Sequence, residues 1–140
     1  MLFRSKDTVL FTEVVSHEWT DAFSTILEAD QAFQNAVPGI GPGGQPQNAS
    51  WYGTSGWMMY ELTEALTGVV RAEVFRDNNG VRTGFADTFA EGTAGLIYKP
   101  RSWFWLRPEI RYDVAQRSRP YDEGRHRDQL TFGFDMIFLF

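Results

Sequence analysis

Over residues 129–140 every even position is apolar, from Leu130, Phe132 and Phe134 to Met136, Phe138 and Phe140, while Thr131, Gly133, Asp135, Ile137 and Leu139 stand between them. A period of two puts the two sets on opposite faces of an extended chain, so the stretch predicts a strand. The contrast is sharper over 103–115, where Phe104, Leu106, Pro108, Ile110, Tyr112 and Val114 alternate with Trp105, Arg107, Glu109, Arg111 and Asp113. One face is apolar and the other is charged. Residues 7–16 also read as a strand, with Val9, Phe11 and Val15 on one face and Leu10 and Val14 on the other, so its faces are poorly resolved. The Ala, Leu, Glu and Gln content of 22–34 leans towards helix. There, however, Phe23, Thr25, Leu27, Ala29 and Gln31 alternate with Ser24, Ile26, Glu28 and Asp30, and a strand gathers both acids on one face. Strands at 51–62, 67–77 and 89–98 bring the number to seven, the last of these ended by Lys99-Pro100, where proline removes a backbone donor.

The connections alternate in length. They are short at 17–21, 62–66 and 99–103 and long at 35–50, 77–88 and 116–128. Within 37–50 the glycines at 39, 41, 43 and 44 and the prolines at 38, 42 and 46 forbid ladder pairing and mark a loop. Asp77-Asn78-Asn79-Gly80 reads as a turn, since Asn and Gly both accept positive φ, and it lacks the ligand spacing of a calcium loop. Short turns at one end and long loops at the other are the asymmetry of transmembrane barrels, whose strands cross the bilayer in roughly 9 to 11 residues. Two aromatic belts are expected along the same axis: Trp19, Tyr60, Tyr98, Trp103 and Phe140 beside short turns, and Trp51, Tyr52, Phe75, Phe89 and Tyr112 near long loops. Alternation serves a soluble β-barrel or sandwich equally well, with the apolar faces turned inward around a small apolar ligand.

Composition narrows the remaining classes. No run of about 18 apolar residues exists, which excludes a spanning helix but not a spanning strand. A net charge of −5 without a Lys/Arg-rich run argues against nucleic acid. Absence of cysteine excludes disulfides and thiolate metal sites, and His17 and His126 have no partner at metal-ligand spacing. Glu109 and Asp113 invite a glycosidase comparison, yet on a strand they are one carboxylate pair among many. No nucleophile motif or phosphate loop stands elsewhere, so neither an enzyme nor a cofactor is expected. The first ten residues, with Arg4, Lys6 and Asp7, are not a secretory signal peptide. For an exported protein this suggests the tail of a longer precursor or an internal start; otherwise the export reading is wrong.

A family likeness is carried by Trp51-Tyr52-Gly53, by Arg71-Ala72-Glu73-Val74-Phe75-Arg76-Asp77 with Gly80 and Arg82-Thr83-Gly84, by Leu106 to Asp113, and by the closing Gln129 to Phe140. These segments resemble the OmpL-like putative β-barrel porins, well over 50–140 and loosely over 7–35. The resemblance implies an antiparallel up-and-down transmembrane β-barrel of the bacterial outer membrane, acting as a passive diffusion channel for small solutes or ions. Because seven strands cannot close an antiparallel ring, the expectation is an all-β, incomplete barrel in which the 7–16 and 129–140 strands are unpaired edges. Arg71, Glu73, Arg107, Glu109, Arg111, Asp113 and Asp135 would line the pore, since buried in a dry core they would each be costly. Phe104, Leu106, Ile110, Tyr112, Leu130, Phe132, Phe134 and Met136 would face lipid. Phe134, Phe138 and Phe140 would form the C-terminal assembly signature read by the barrel-assembly machinery. The implied partners are that machinery and the outer-membrane bilayer, with an oligomer left open.

Overall fold

The alternating stretches form strands that hydrogen-bond only to their neighbours in sequence. The computed structural model describes residues 7–140, and the basic start of the chain around Arg4 and Lys6 lies outside the described residues. Seven strands follow one another: β1 (Thr8–Thr20), β2 (Phe23–Val37), β3 (Gln47–Thr63), β4 (Leu66–Asp77), β5 (Thr88–Arg101), β6 (Phe104–Ala115) and β7 (Asp128–Phe138). They make one antiparallel up-and-down sheet in the order β1 to β7. Among the described residues the only helical turn is the 3-10 piece Pro42–Gly44 in the loop between β2 and β3. β1 and β7 make no contact with each other, so the sheet is open, and with an odd number of strands its two edges run in the same direction.

Side-chain alternation fixes the register, because a slip of one residue would move every charge onto the apolar face. Arg71 stands opposite Thr93, which stands opposite Arg111 and then Thr131. One row over, Ser55, Glu73, Glu91, Asp113 and Gln129 follow across five strands. The other face carries Leu27, Tyr52, Met58, Val70, Val74, Leu96, Ile110, Phe132 and Phe134, all exposed.

Several boundaries differ from those expected. β1 continues through His17 to Thr20, and β2 and β3 extend to Val37 and back to Gln47, leaving only 38–46 as loop. The glycines and prolines act as predicted, but over a shorter span, because the flanking Gln47, Asn48, Ala49 and Ser50 can still pair. Nor does Pro100 end its strand. β5 runs to Arg101 through a register shift between Tyr98 and Arg101, and such a bulge tolerates the missing donor. Pro108 is accommodated differently: it sits opposite Phe134 on β7, while the β5 ladder skips Leu96 and Ile97 beside it.

The connection between β4 and β5 is the long loop expected, and Asn79-Gly80 lies within it. Of residues 78–87 only Gly80 and Gly84 have positive φ, and the loop winds around one carboxylate. Asp77 Oδ1 accepts N–H bonds from Asn79, Gly80 and Val81, and Oδ2 accepts those of Arg82 and Thr83 together with the Thr83 hydroxyl. The loop-end aromatic belt is thinner than expected. Trp51, Phe75 and Phe89 share the face of the charged residues, Trp51 beneath the Arg82 guanidinium at 5.1 Å, and only Tyr52 and Tyr112 of that group point the other way. Position along the axis was read correctly from the sequence; the strand face was not, since parity decides it.

Candidate functional site: the charged face of the sheet

The expected pore-lining residues all share one face, and it is the sheltered one. Glu91 and Asp113 are only 8% and 6% exposed, whereas Phe132 and Phe134 on the opposite face are 73% and 55% exposed. A soluble sandwich would show the reverse.

Rows of charge organise this face. Glu73 and Asp113 flank Glu91 directly across the ladder, an arrangement of three carboxylates that by itself is repulsive. The neighbouring row supplies the compensation. Arg71, two residues before Glu73 on β4, pairs with Glu73 and reaches Glu91 with Nη1 at 3.2 Å, and its guanidinium lies 5.2 Å from the Trp57 ring. Arg111, two residues before Asp113 on β6, donates from Nε and Nη2 to its carboxylate at 2.9 and 2.7 Å. Positions i and i+2 meet here because both project from the same face of a strand. Thr93 completes the cluster by donating its hydroxyl to Glu91.

Towards the short turns, Arg107 grips Asp135 on β7 through two parallel bonds, with Nε to Oδ1 at 2.8 Å. This is the bidentate geometry a guanidinium favours. Lys99 stands over the Trp105 ring at 4.2 Å. Among the described residues Glu109 makes no ion pair, although the charges of Arg107 and Glu109 on the same face of β6 interact. It lies between Gly95 and Gly133 in register, and a Cβ at Gly133 would come within 2.9 Å of its Cγ, so the glycine makes room for the side chain. A groove of about 450 Å³ passes over this region, lined by Trp57, Val69, Ile97, Arg107, Glu109 and Asp135 among others. Among the described residues no group of three or more histidines or carboxylates is placed to hold a metal ion.

Four residues of the same face were not singled out from the sequence as lining residues: Glu91, Glu28, Asp30 and Trp57. Glu28 and Asp30 were recognised as sharing a face, but nothing in β2 alone said which. Glu91 sits in a Gly/Ala-rich strand without a charged neighbour two residues away, and only its register with Asp113 reveals it.

Above the charged rows, at the long-loop end, a second carboxylate ties two loops together. Asp87 is almost fully buried, and its Oδ2 accepts the N–H groups of Arg117 and Ser118 and the Ser118 hydroxyl, at 2.9, 2.6 and 2.6 Å. Burial pushes its pKa up, but those bonds and the one from Thr88 outweigh it and hold the carboxyl well below the ordinary range.

The family described as "Putative beta-barrel porin-2, OmpL-like" matches residues 5–140, and so takes in the N-terminal strands where the likeness had been loose. Comparison with curated proteins and with solved structures gives no match.

Proposed function

The chain belongs to the OmpL-like putative beta-barrel porin-2 family, and on that premise we propose that its strands form part of an outer-membrane pore wall through which small solutes or ions diffuse passively. The reading rests on the inverted distribution of side chains, in which the more sheltered face is charged and the exposed face is mainly apolar, with Glu13, Gln31 and Arg76 among its polar members. Lipid is the solvent such a surface fits, and water is the solvent the rows of arginine and carboxylate fit. Arg71, Glu73, Arg107, Glu109, Arg111, Asp113 and Asp135 then line the lumen. No chemistry is catalysed; the wall works by its field and its width.

The open edges belong to the same proposal. An unpaired strand edge in hydrocarbon costs several kcal/mol per orphan backbone group, so β1 and β7 pair with further strands when the protein is in the membrane. β1 and β7 run in the same direction, so an antiparallel ring needs an odd number of additional strands between them, from a longer parent chain or an assembly. The apolar ending with Phe134, Phe138 and Phe140 serves as the signature for the barrel-assembly machinery.

The test is membrane fractionation followed by thiol labelling. The protein should leave the membrane fraction only with detergent. In the inserted protein, Arg107→Cys and Arg111→Cys should react with a water-soluble maleimide while Phe132→Cys does not. Extraction without detergent, or protection at 107 and 111, would overturn the pore reading in favour of a soluble module.

A further inference from the structure

We propose that the pore prefers cations, and that Glu28 and Asp30 on β2 with Glu109 on β6 set that preference. The inference rests on the reading that the charged face lines an aqueous pore. It follows from an asymmetry in how the two signs of charge are used. Every basic side chain on that face of the strands is engaged: Arg71 by Glu73, Glu91 and the Trp57 ring, Arg107 by Asp135, Arg111 by Asp113, and Lys99 by the Trp105 ring. Several acids are not. Glu28 stands between Val14 and Ser55, Asp30 between Thr12 and Gly53, and Glu109 between Gly95 and Gly133, so the directly opposite residues on both neighbouring strands carry no charge. Asp30 accepts only a hydroxyl bond from Thr12, at 2.7 Å. Glu18 and Glu61 add further carboxylates near the short turns, opposite Ser24 and Thr67.

A guanidinium clamped by a carboxylate presents little net field to a passing ion, whereas a carboxylate without a bonded base presents most of its charge; Glu109, with Arg107 and Arg111 two residues away on the same face of β6, is partly screened by them, and Glu28 and Asp30 are not. The Trp105 ring does not cancel the charge of Lys99, but Glu18, Glu28, Asp30, Glu61 and Glu109 outnumber it on that face, so the free field of the wall is negative although arginines are prominent in it. No bound cation is required, because a low-dielectric wall focuses the field of such groups into the lumen. Screening sets the range: at 0.1 M salt the Debye length is about 10 Å, comparable with a pore radius, so the preference should strengthen as salt falls.

Reversal potentials across planar bilayers under a KCl gradient test this, with the protein purified from membranes in the assembly in which it occurs. The expected potassium-over-chloride permeability ratio is roughly three to ten at about 0.1 M salt, rising on dilution. The triple variant Glu28→Gln, Asp30→Asn, Glu109→Gln should bring the ratio near one, and each single variant should lower it partway, so the assignment stands or falls even if the triple variant does not fold. Glu13→Gln makes a like change of charge on the opposite face, where Glu13 is opposite Ala29, and should leave the ratio unchanged. A conducting wild type with a ratio of one or below would overturn the proposal, as would substituted channels that keep the wild-type ratio. Absence of any conductance would instead overturn the pore reading beneath it.

Discussion

Replacing Phe134 by arginine probes the orientation of the sheet most directly. Phe134 is exposed on the apolar face of β7, opposite Pro108 of β6. With eleven residues in β7, a rise of about 3.3 Å and a tilt near 45°, the strand spans about 26 Å, close to the apolar height of an outer-membrane barrel. Phe134 lies one residue from the strand centre, so about 2 Å from the midplane by the same geometry. Arginine there should cost about 2 to 4 kcal/mol, which lowers the folding equilibrium constant about 30- to 900-fold. Phe138→Arg, at the strand end and so near the interface, should cost at most about 1 kcal/mol. Thr131→Arg, on the charged face next to Arg111 in register, should cost little. Denaturant-dependent folding into lipid vesicles, read by tryptophan fluorescence and gel mobility, gives the three values. Equal tolerance at 131 and 134, or a larger loss at 138 than at 134, would refute the lipid-facing assignment.

Arg71→Met removes the counter-charge from Glu91, which is largely buried; since Arg71 itself is partly solvated, the expected loss is about 2 kcal/mol rather than the full cost of a buried orphan charge. Adding Glu91→Gln should restore part of it, and a double variant no more stable than the single would show that the pair does not act together. Asp87→Asn should loosen the tether to Arg117 and Ser118 and speed tryptic cleavage after Arg117 at pH 8; an unchanged cleavage rate would show that the tether does not order the loop. Because the folded pKa of Asp87 is depressed, its contribution is fully present above about pH 4, the unfolded carboxyl range, and is lost only as pH falls towards the lower folded value. An NMR titration of the Ser118 amide should accordingly show its midpoint well below pH 4, and a midpoint at the ordinary aspartate value would contradict the hydrogen-bonded state.

What the sequence made legible was what alternation encodes. Seven strands, their order, the open edges and the charged face of β6 all follow from a period of two that persists over ten or more residues. What it hid was everything decided across strands. Trp51, Phe75 and Phe89 occupy the expected height near the long loops, yet their parity turns them towards Asp77 and Glu91 rather than outward. Pro100 reads as a stop in isolation, but a bulge between β5 and β6 absorbs it, and nothing in the local sequence announces a bulge. The Asp77 loop conveys a similar lesson. The length of the 77–88 loop was legible from the sequence, but what orders it was not: a carboxylate one residue before Asn78 offers five backbone donors a common acceptor.

β1 shows how the exposure of a strand's two faces depends on neighbours. Its two faces were the least resolved in the sequence, and they are the least resolved in the fold: Phe11 and Val15 on the apolar face are 60% and 64% exposed, and Leu10 and Val14 on the charged face are 59% and 60% exposed. A strand inside the sheet, such as β5, has partners on both sides that shelter Glu91 and leave Leu96 exposed, so its parity carries structural information. β1 has a partner only at β2, and its charged-face residues are sheltered from one side alone. Leu10 and Val14 would be covered by side chains projecting from a strand paired to the free edge of β1. β7, the other edge, also has a single partner, yet its alternation is sharp, so one-sided enclosure accounts for the like exposure of the two faces of β1 and not for the mixed pattern of 7–16.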